Sequence, residues 1–343
     1  MKLFQHNQPF LLENGFELPK IEIAYSTYGS LNDDHSNVIW ICHALTANSD
    51  AASWWPGMIG ENCLFDTNKY FIVCANILGS CYGTTGPLSI DPNTGEPYYN
   101  NFPLVTIRDM VKAHILLKEY LGIRKIDLLA GGSMGGYQVL EWAVMEPDVI
   151  QKLFLISTSA KETAWGIAIH SAQRLAIEAD GTWNTKSRYA GANGLKAARA
   201  FGMITYRSYE SYVLTQTDPD ENKLDHYKAS SYIHYQGEKL VRRFNAYSYW
   251  YLTKSMDNHN LARHRAATVE DVLGMITQPS ILIGIRSDLL CPPHEQHFLA
   301  HHMTNTTVFE IDSLYGHDGF LVETREIANH VAAWMQKYCK VAG

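Results

Sequence analysis

Residues 126–143 read IDLLAGGSMGGYQVLEWA. A short apolar run enters a knot of glycines around one serine and leaves as an amphipathic segment. Gly131, Ser133 and Gly135 form a Gly-x-Ser-x-Gly pattern. From glycine usage alone such a match arises in about one chain of this length in ten, so its meaning comes from what flanks it. A buried-type strand before it and a helix after it are the strand, tight turn and helix of a nucleophile elbow. Small neighbours allow the serine a strained backbone, and its hydroxyl then projects above a sheet at a helix N-terminus. A phosphate-binding glycine loop is the competing reading, but no lysine follows the second glycine and no Gly-x-Gly-x-x-Gly is present.

Working outward, apolar runs of strand length recur: NVIWICHAL (37–45), YFIVCANIL (70–78), KIDLLA (125–130), KLFLIST (152–158), SILIGI (280–285) and TVFEID (307–312). Nearly continuous apolar character is what strands buried on both faces of a parallel sheet require. Helical patterns at residues 106–122 and 137–147 lie between them. The alternation predicts an α/β fold, a mostly parallel, doubly wound sheet. Residues 10–29 alternate around Asn14-Gly15 and predict an antiparallel hairpin ahead of the parallel part. At the other end, Ile327, Val331, Met335 and Tyr338 fall on one stripe, predicting a closing helix packed on the sheet.

From residue 160 to 265 no strand of the buried kind occurs, while HSAQRLAIEA, NGLKAARAFGMI and VRRFNAYSYWYLTKSM read as helical stretches. A segment this long and apolar is not a structureless loop. It is expected to form a helical lid inserted between two sheet strands, which divides the chain into a core part (1–159), a lid (160–270) and a second core part (271–343).

Composition narrows the function. Lys and Arg number 28 against 35 Asp and Glu, a net charge of −7, so no basic field attracts nucleic acid or anionic lipid. The N-terminal stretch lacks the apolar core of a secretory signal, and no run approaches the roughly 18 apolar residues of a membrane span. The expected compartment is the cytoplasm, with small molecules rather than nucleic acid or membrane as partners. Cys42, Cys63, Cys74, Cys81, Cys291 and Cys339 are scattered without a Cys-x-x-Cys pair, which argues against disulfides and structural zinc. His294, His297, His301 and His302 cluster in HEQHFLAHH, but this is not His-Glu-x-x-His. A solvated helix face is expected there, and no metal site.

A serine hydroxyl becomes a nucleophile only when a base takes its proton, and the base needs an acid to orient it. In this architecture the chain order is Ser, then Asp or Glu, then His. Asp288 follows the run at 280–285, and His317 follows the run at 307–312. Both lie just past strand C-termini, the rim where α/β sites form. A turn residue before Pro292-Pro293 is the other reading of Asp288, and a turn histidine beside Gly316 the other reading of His317. Oxyanion donors are expected from the backbone N–H of Met134, after the serine, and of Leu45, in the loop after the strand at 37–45. His43 in that loop is expected to be structural.

Beyond these elements, HALT, GSCYGTTGP, DPNTGEPY, FPLVTIRDMVKAH, GGSMGGYQVLEWA, GLKAARAFGMITYRS, SYIHYQGEKLVRRFNAYSYWYLT and GHDGFLVE span nearly the whole chain. In that combination and order the sequence resembles the homoserine O-acyltransferases of the α/β-hydrolase fold. The resemblance implies transfer of an acetyl group from acetyl-CoA to the hydroxyl of L-homoserine, by a ping-pong route through an acyl-serine, feeding methionine synthesis. It implies acetyl-CoA as co-substrate without a bound cofactor. It also implies Ser133 as nucleophile, His317 as general base and acid, Asp288 as its orienter, Arg199 and Tyr206 as substrate-binding residues, and Asp318 as holder of the homoserine amino group. A zwitterionic acceptor wants such a cation and anion, and a plain esterase needs neither. A homodimer through the lid helices is a further family trait.

Some features depart from the family pattern. The stretch between STSAKETAW and GLKAAR is short, Met203 stands where a histidine often precedes the ITY, and Tyr137 stands where a methionine is common. These positions are expected to border the acyl and acceptor pockets, so succinyl transfer, a serine acceptor, and hydrolysis by a serine esterase stay open as alternatives.

Overall fold

The apolar runs form strands, and all but the last, a half-buried edge at 306–311, are covered by neighbours on both faces. The computed structural model describes residues 1–339, and side chains through residue 337. Its main strands are β1 (Lys2–His6), β2 (Ile21–Tyr28), β3 (Val38–Cys42), β4 (Phe71–Ala75), β5 (Leu128–Gly132), β6 (Leu153–Ile156), β7 (Ser280–Ile285) and β8 (Thr306–Ile311). Among the described residues these eight form one sheet in the order β1-β2-β4-β3-β5-β6-β7-β8. β2 runs against both of its neighbours, and the other pairs are parallel.

Alternation along β3 shows why its run is apolar throughout. Val38 and Trp40 enter one core, and Ile39 and Ile41 enter the other, as a period of two demands. The first core is closed by the helices Ile107–Tyr120 and Met134–Met145, where Trp40 meets Trp142 edge-on at 5.0 Å. Thr106 and Asp109 start the earlier helix with a capping box. The second core is closed by the C-terminal helix Thr324–Cys339 through buried Ile327, Val331 and Met335; the side chain of Tyr338 lies outside the described residues. Each fully buried aliphatic contributes about 1.5–3 kcal/mol.

The antiparallel edge differs from expectation. The hairpin around Asn14-Gly15 exists only as a two-residue ladder, Phe10–Leu11 against Glu17–Leu18. The strand that pairs with the outer side of β2 is β1, whose sequence KLFQH is mostly solvent-facing and carries no apolar run to betray it.

Between β6 and β7 the chain leaves the sheet. Its two strands cross a narrow neck, where Glu162 N–H donates to the His259 carbonyl and Leu261 N–H to the Ala160 carbonyl, both at 3.0 Å. Beyond the neck lie the helices Ala164–Glu178, Ala192–Tyr206, Tyr209–Gln216, Lys228–Val241 and Ala246–Asp257. The stretch VRRFNAYSYWYLTKSM, expected as one helical piece, is split: one helix ends at Val241 and the next starts at Ala246. Asn245 causes the break, since its side chain accepts the Ser248 N–H at 2.8 Å as an N-cap.

The described cysteines are free thiols; the side chain of Cys339 lies outside the description. His294, His297 and His301 are exposed on the Pro293–His302 helix, with His297 Nε2 2.5 Å from Glu310.

Candidate active site

The carboxyl ends of β3, β5, β7 and β8 converge on one rim, and each supplies a loop to the site. At the end of β5, Ser133 adopts φ 54° and ψ −128°, a conformation costing about 1–3 kcal/mol for a residue with a side chain. Neighbouring hydrogen bonds hold it there. Its N–H donates to the Ile156 carbonyl at 3.0 Å, and its carbonyl accepts from Thr158 Oγ1 at 2.9 Å and from the Gly136 N–H at 2.9 Å. The glycines after the serine answer to close approach. A Cβ on Gly135 would lie 2.1 Å from the Cys42 carbonyl oxygen, and one on Gly136 2.3 Å from Thr158 Oγ1.

Asp288 and His317, from the loops after β7 and β8, are brought together. His317 Nδ1 donates to Asp288 Oδ2 at 2.7 Å, while Asp288 Oδ1 accepts the N–H groups of Leu290 at 2.8 Å and Cys291 at 2.9 Å. This fixes the imidazole tautomer and leaves Nε2 with no bond among the described residues. Ser133, Asp288 and His317 are all buried. Burial alone pushes the His317 pKa down, but the Asp288 charge and hydrogen bond, aided by Asp318 and Glu162, outweigh it and leave it above the ordinary histidine value.

Ser133 and His317 line one cavity of about 340 Å³, together with Leu45, Thr46, Arg199, Tyr206 and Asp318 among others. Met134 is the first residue of its helix, so its N–H has no partner within the helix. Leu45 sits in a loop secured by His43. The His43 ring donates from Nδ1 to the Ala44 carbonyl at 2.9 Å and accepts the Ile77 N–H on Nε2 at 3.3 Å. Burial lowers the pKa of this ring to about 4, so it acts as a neutral strut.

On the lid side of the cavity, the Arg199 guanidinium lies 5.3 Å from the Tyr206 ring centroid and forms no ion pair among the described residues. The Tyr206 ring is 5.9 Å from that of His317. Asp318 is paired with Arg207, Nε to Oδ2, at 3.0 Å.

Arg207 was not singled out from the sequence; adjacency to Tyr206 in ITYRS was its only signal. Arg243, which donates to the Thr46 carbonyl and to the Tyr82 hydroxyl at 2.5 Å each, carried none. Nor did Glu162, which accepts the Tyr137 hydroxyl at 3.1 Å. The departures at Met203 and Tyr137 do not border the cavity as expected. Both are buried and neither lines it, and Tyr137 stacks on His259 at 4.0 Å.

The arrangement can accept a proton at His317 Nε2, offer the Met134 N–H at a helix start, unpaired within that helix, to negative charge, and present a cation and an anion to a second reactant. Comparison with known proteins agrees with this geometry. Residues 37–324 match the family model of the alpha/beta hydrolase fold. A homoserine O-acetyltransferase of Cyclobacterium marinum is 43% identical over 95% of this chain and 92% of its own. One from Chlorobium chlorochromatii is 45% identical over 97% and 95%. Among solved structures, the homoserine O-acetyltransferase from Bacillus anthracis superposes with a TM-score of 0.89 at 25% identity, covering 97% of this chain and 96% of that one. Esterase E22 reaches the same TM-score at 23% identity, over 97% and 98%, a likeness of fold alone. The chain therefore belongs to the α/β-hydrolase fold family and, within it, to the homoserine O-acetyltransferases.

Proposed function

We propose that the protein transfers the acetyl group of acetyl-CoA to the hydroxyl of L-homoserine, a step of methionine biosynthesis, through an acetyl-Ser133 intermediate. One observation carries the reading: the cavity that holds Ser133 and His317 also holds Arg199 and Asp318, opposite charges suited to the carboxylate and ammonium of an amino acid. Ser133 Oγ attacks the thioester carbonyl as His317 Nε2 takes its proton. The N–H groups of Met134 and Leu45 receive the oxyanion. The thiol leaves with the proton from His317. The homoserine hydroxyl then enters, gives its proton to the same nitrogen and takes the acetyl group, restoring the serine. Asp288 keeps the ring oriented and stabilises the imidazolium. Arg199 and Tyr206 hold the carboxylate side of the acceptor, and Asp318, set by Arg207, its ammonium.

No bound cofactor is needed for this chemistry, since the thioester supplies the activated acyl group. Two copies pair through the lid helices, a reading supported by exposed Phe201, Ile204, Val213 and Leu214; sedimentation of the purified protein tests it. No described helix is long and apolar enough to cross a membrane, and the cytoplasm is the proposed compartment.

Incubation with acetyl-CoA, with and without L-homoserine, tests the activity. Thiol release that depends on homoserine and yields O-acetylhomoserine is expected. Slow release indifferent to homoserine would mean a hydrolase, and no release would direct the trial to succinyl-CoA.

A further inference from the structure

We propose that a second, polar cavity beside the active site seats the phosphates of the acyl donor, with Arg188, Arg242 and Arg243 as their partners. The inference rests on the acyl-CoA reading above and adds a place for the part of the donor that does not react.

The cavity, of about 480 Å³, lies between the turn at residues 80–89 and the lid residues around the break at Asn245. Arg243 lines both this cavity and the one that holds Ser133. Its hydrogen bonds to the Thr46 carbonyl and Tyr82 hydroxyl fix its charge on the wall between them. Arg188 and Arg242 line the same space and form no ion pair among the described residues; Arg188 rests on the Tyr189 ring at 5.5 Å. Glu22, the one carboxylate on the wall among the described residues, accepts from Gln5 Nε2 at 2.9 Å and has Lys20 at 3.9 Å. Ser80, 2% exposed, also lines the cavity, and its hydroxyl finds no partner among the described residues.

Charge and length give these observations their meaning. The chain is net negative by 7, so a polyanionic donor is drawn in only where local cations reverse the field. Guanidinium forks match phosphate oxygens in geometry as well as charge. The active-site cavity takes the acyl and thiol end of an extended coenzyme. Its nucleotide must lie outside, and the wall shared at Arg243 indicates on which side. Arg199 is thereby left to the acceptor.

The test compares two donors, acetyl-CoA and acetylpantetheine, which carry the same thioester with and without phosphates. In the double variant Arg188→Ala/Arg242→Ala, the ratio of kcat/KM for acetyl-CoA to that for acetylpantetheine should fall about fivefold from the wild-type ratio, as expected for two solvent-facing charge contacts. The variant Arg188→Lys/Arg242→Lys, which keeps the charges, should retain most of the wild-type preference. Added salt should erode the preference of the wild type more than that of the alanine variant. An unchanged ratio would overturn the subsite, and so would an equal loss with both donors, which would assign the arginines to the fold. Wild-type protein that uses both donors equally well would also overturn the subsite while leaving the acetyltransferase standing. Wild-type protein inert to both would sink the acetyltransferase reading and the subsite with it.

Discussion

The strand-end rim and the lid border face each other across one cavity, yet they are built differently. On the rim, Ser133, Asp288 and His317 are buried, and backbone groups of strands or tight turns hold the serine and the aspartate. On the lid border, Arg199 and Tyr206 are only partly buried and rest on side-chain contacts, as does Asp318, which belongs to the loop after β8 but is tied to the lid by the Arg207–Asp318 ion pair at 3.0 Å. The rim is thus suited to a reaction that tolerates little positional error, and the lid border to recognition that can be retuned without disturbing it. Substitutions on the two sides should therefore fail in different half-reactions.

The largest effect belongs to the rim. Ser133→Ala is expected to lower kcat by on the order of 10⁵-fold or more, with intact-mass analysis showing an acetyl adduct on the wild type alone; an adduct persisting on the variant would remove Ser133 from its role. Asp288→Asn comes next, at on the order of 10⁴-fold in kcat through loss of the correct tautomer. It also has a pH signature. Because the His317 pKa is held above the ordinary value of about 6.5, the ring is protonated, and useless as a base, over a wider acid range. Wild-type kcat/KM should fall with decreasing pH through a midpoint above that value. Removing the Asp288 charge leaves burial, which acts the other way, so the midpoint should move to lower pH. A pH profile of the residual activity checks the sign.

Across the cavity, Arg199→Ala should raise the KM for homoserine about 10- to 100-fold, as loss of a charge-assisted hydrogen bond implies, while acylation by acetyl-CoA in single turnover keeps its rate. Equal damage to both half-reactions would break the division between rim and lid, and would mean that Arg199 supports the elbow or the fold.

The same contrast explains what the sequence revealed. Strands buried on both faces announce themselves as apolar runs, so β3 to β7 and the doubly wound sheet were legible; the edge strand β8 is only half-buried yet keeps an apolar run, whereas the half-exposed β1 carries none. The serine was legible because Gly135 and Gly136 must lack side chains against Cys42 and Thr158, a local demand that leaves a local mark. Asp288 and His317 were candidates because strand ends are countable, and the structure joins them at 2.7 Å. The supports of the lid border arise from tertiary packing, with no pattern of their own. Arg207 reaches Asp318 across 111 positions, and Arg243 reaches Thr46 across 197. Tyr137 and Met203 do not line the cavity for the same reason, since facing direction in a packed helix is set by its neighbours.

The smallest expected effect probes the seam itself. Ser208 caps the Tyr209–Gln216 helix by accepting the Ser211 N–H at 3.0 Å, and its hydroxyl donates to the Leu314 carbonyl at 2.7 Å, in the loop that leads to His317. Ser208→Ala removes both bonds and should cost about 1–2 kcal/mol, visible as a melting temperature lower by a few degrees, about 2–4 °C per kcal/mol for chains of this order of size. If the seam only ties lid to core, homoserine KM should rise a few-fold, because Asp318 and Arg207 flank it, and the acylation rate should hold. A matching fall in acylation would show that the lid also positions His317, and the two regions would then be one catalytic unit.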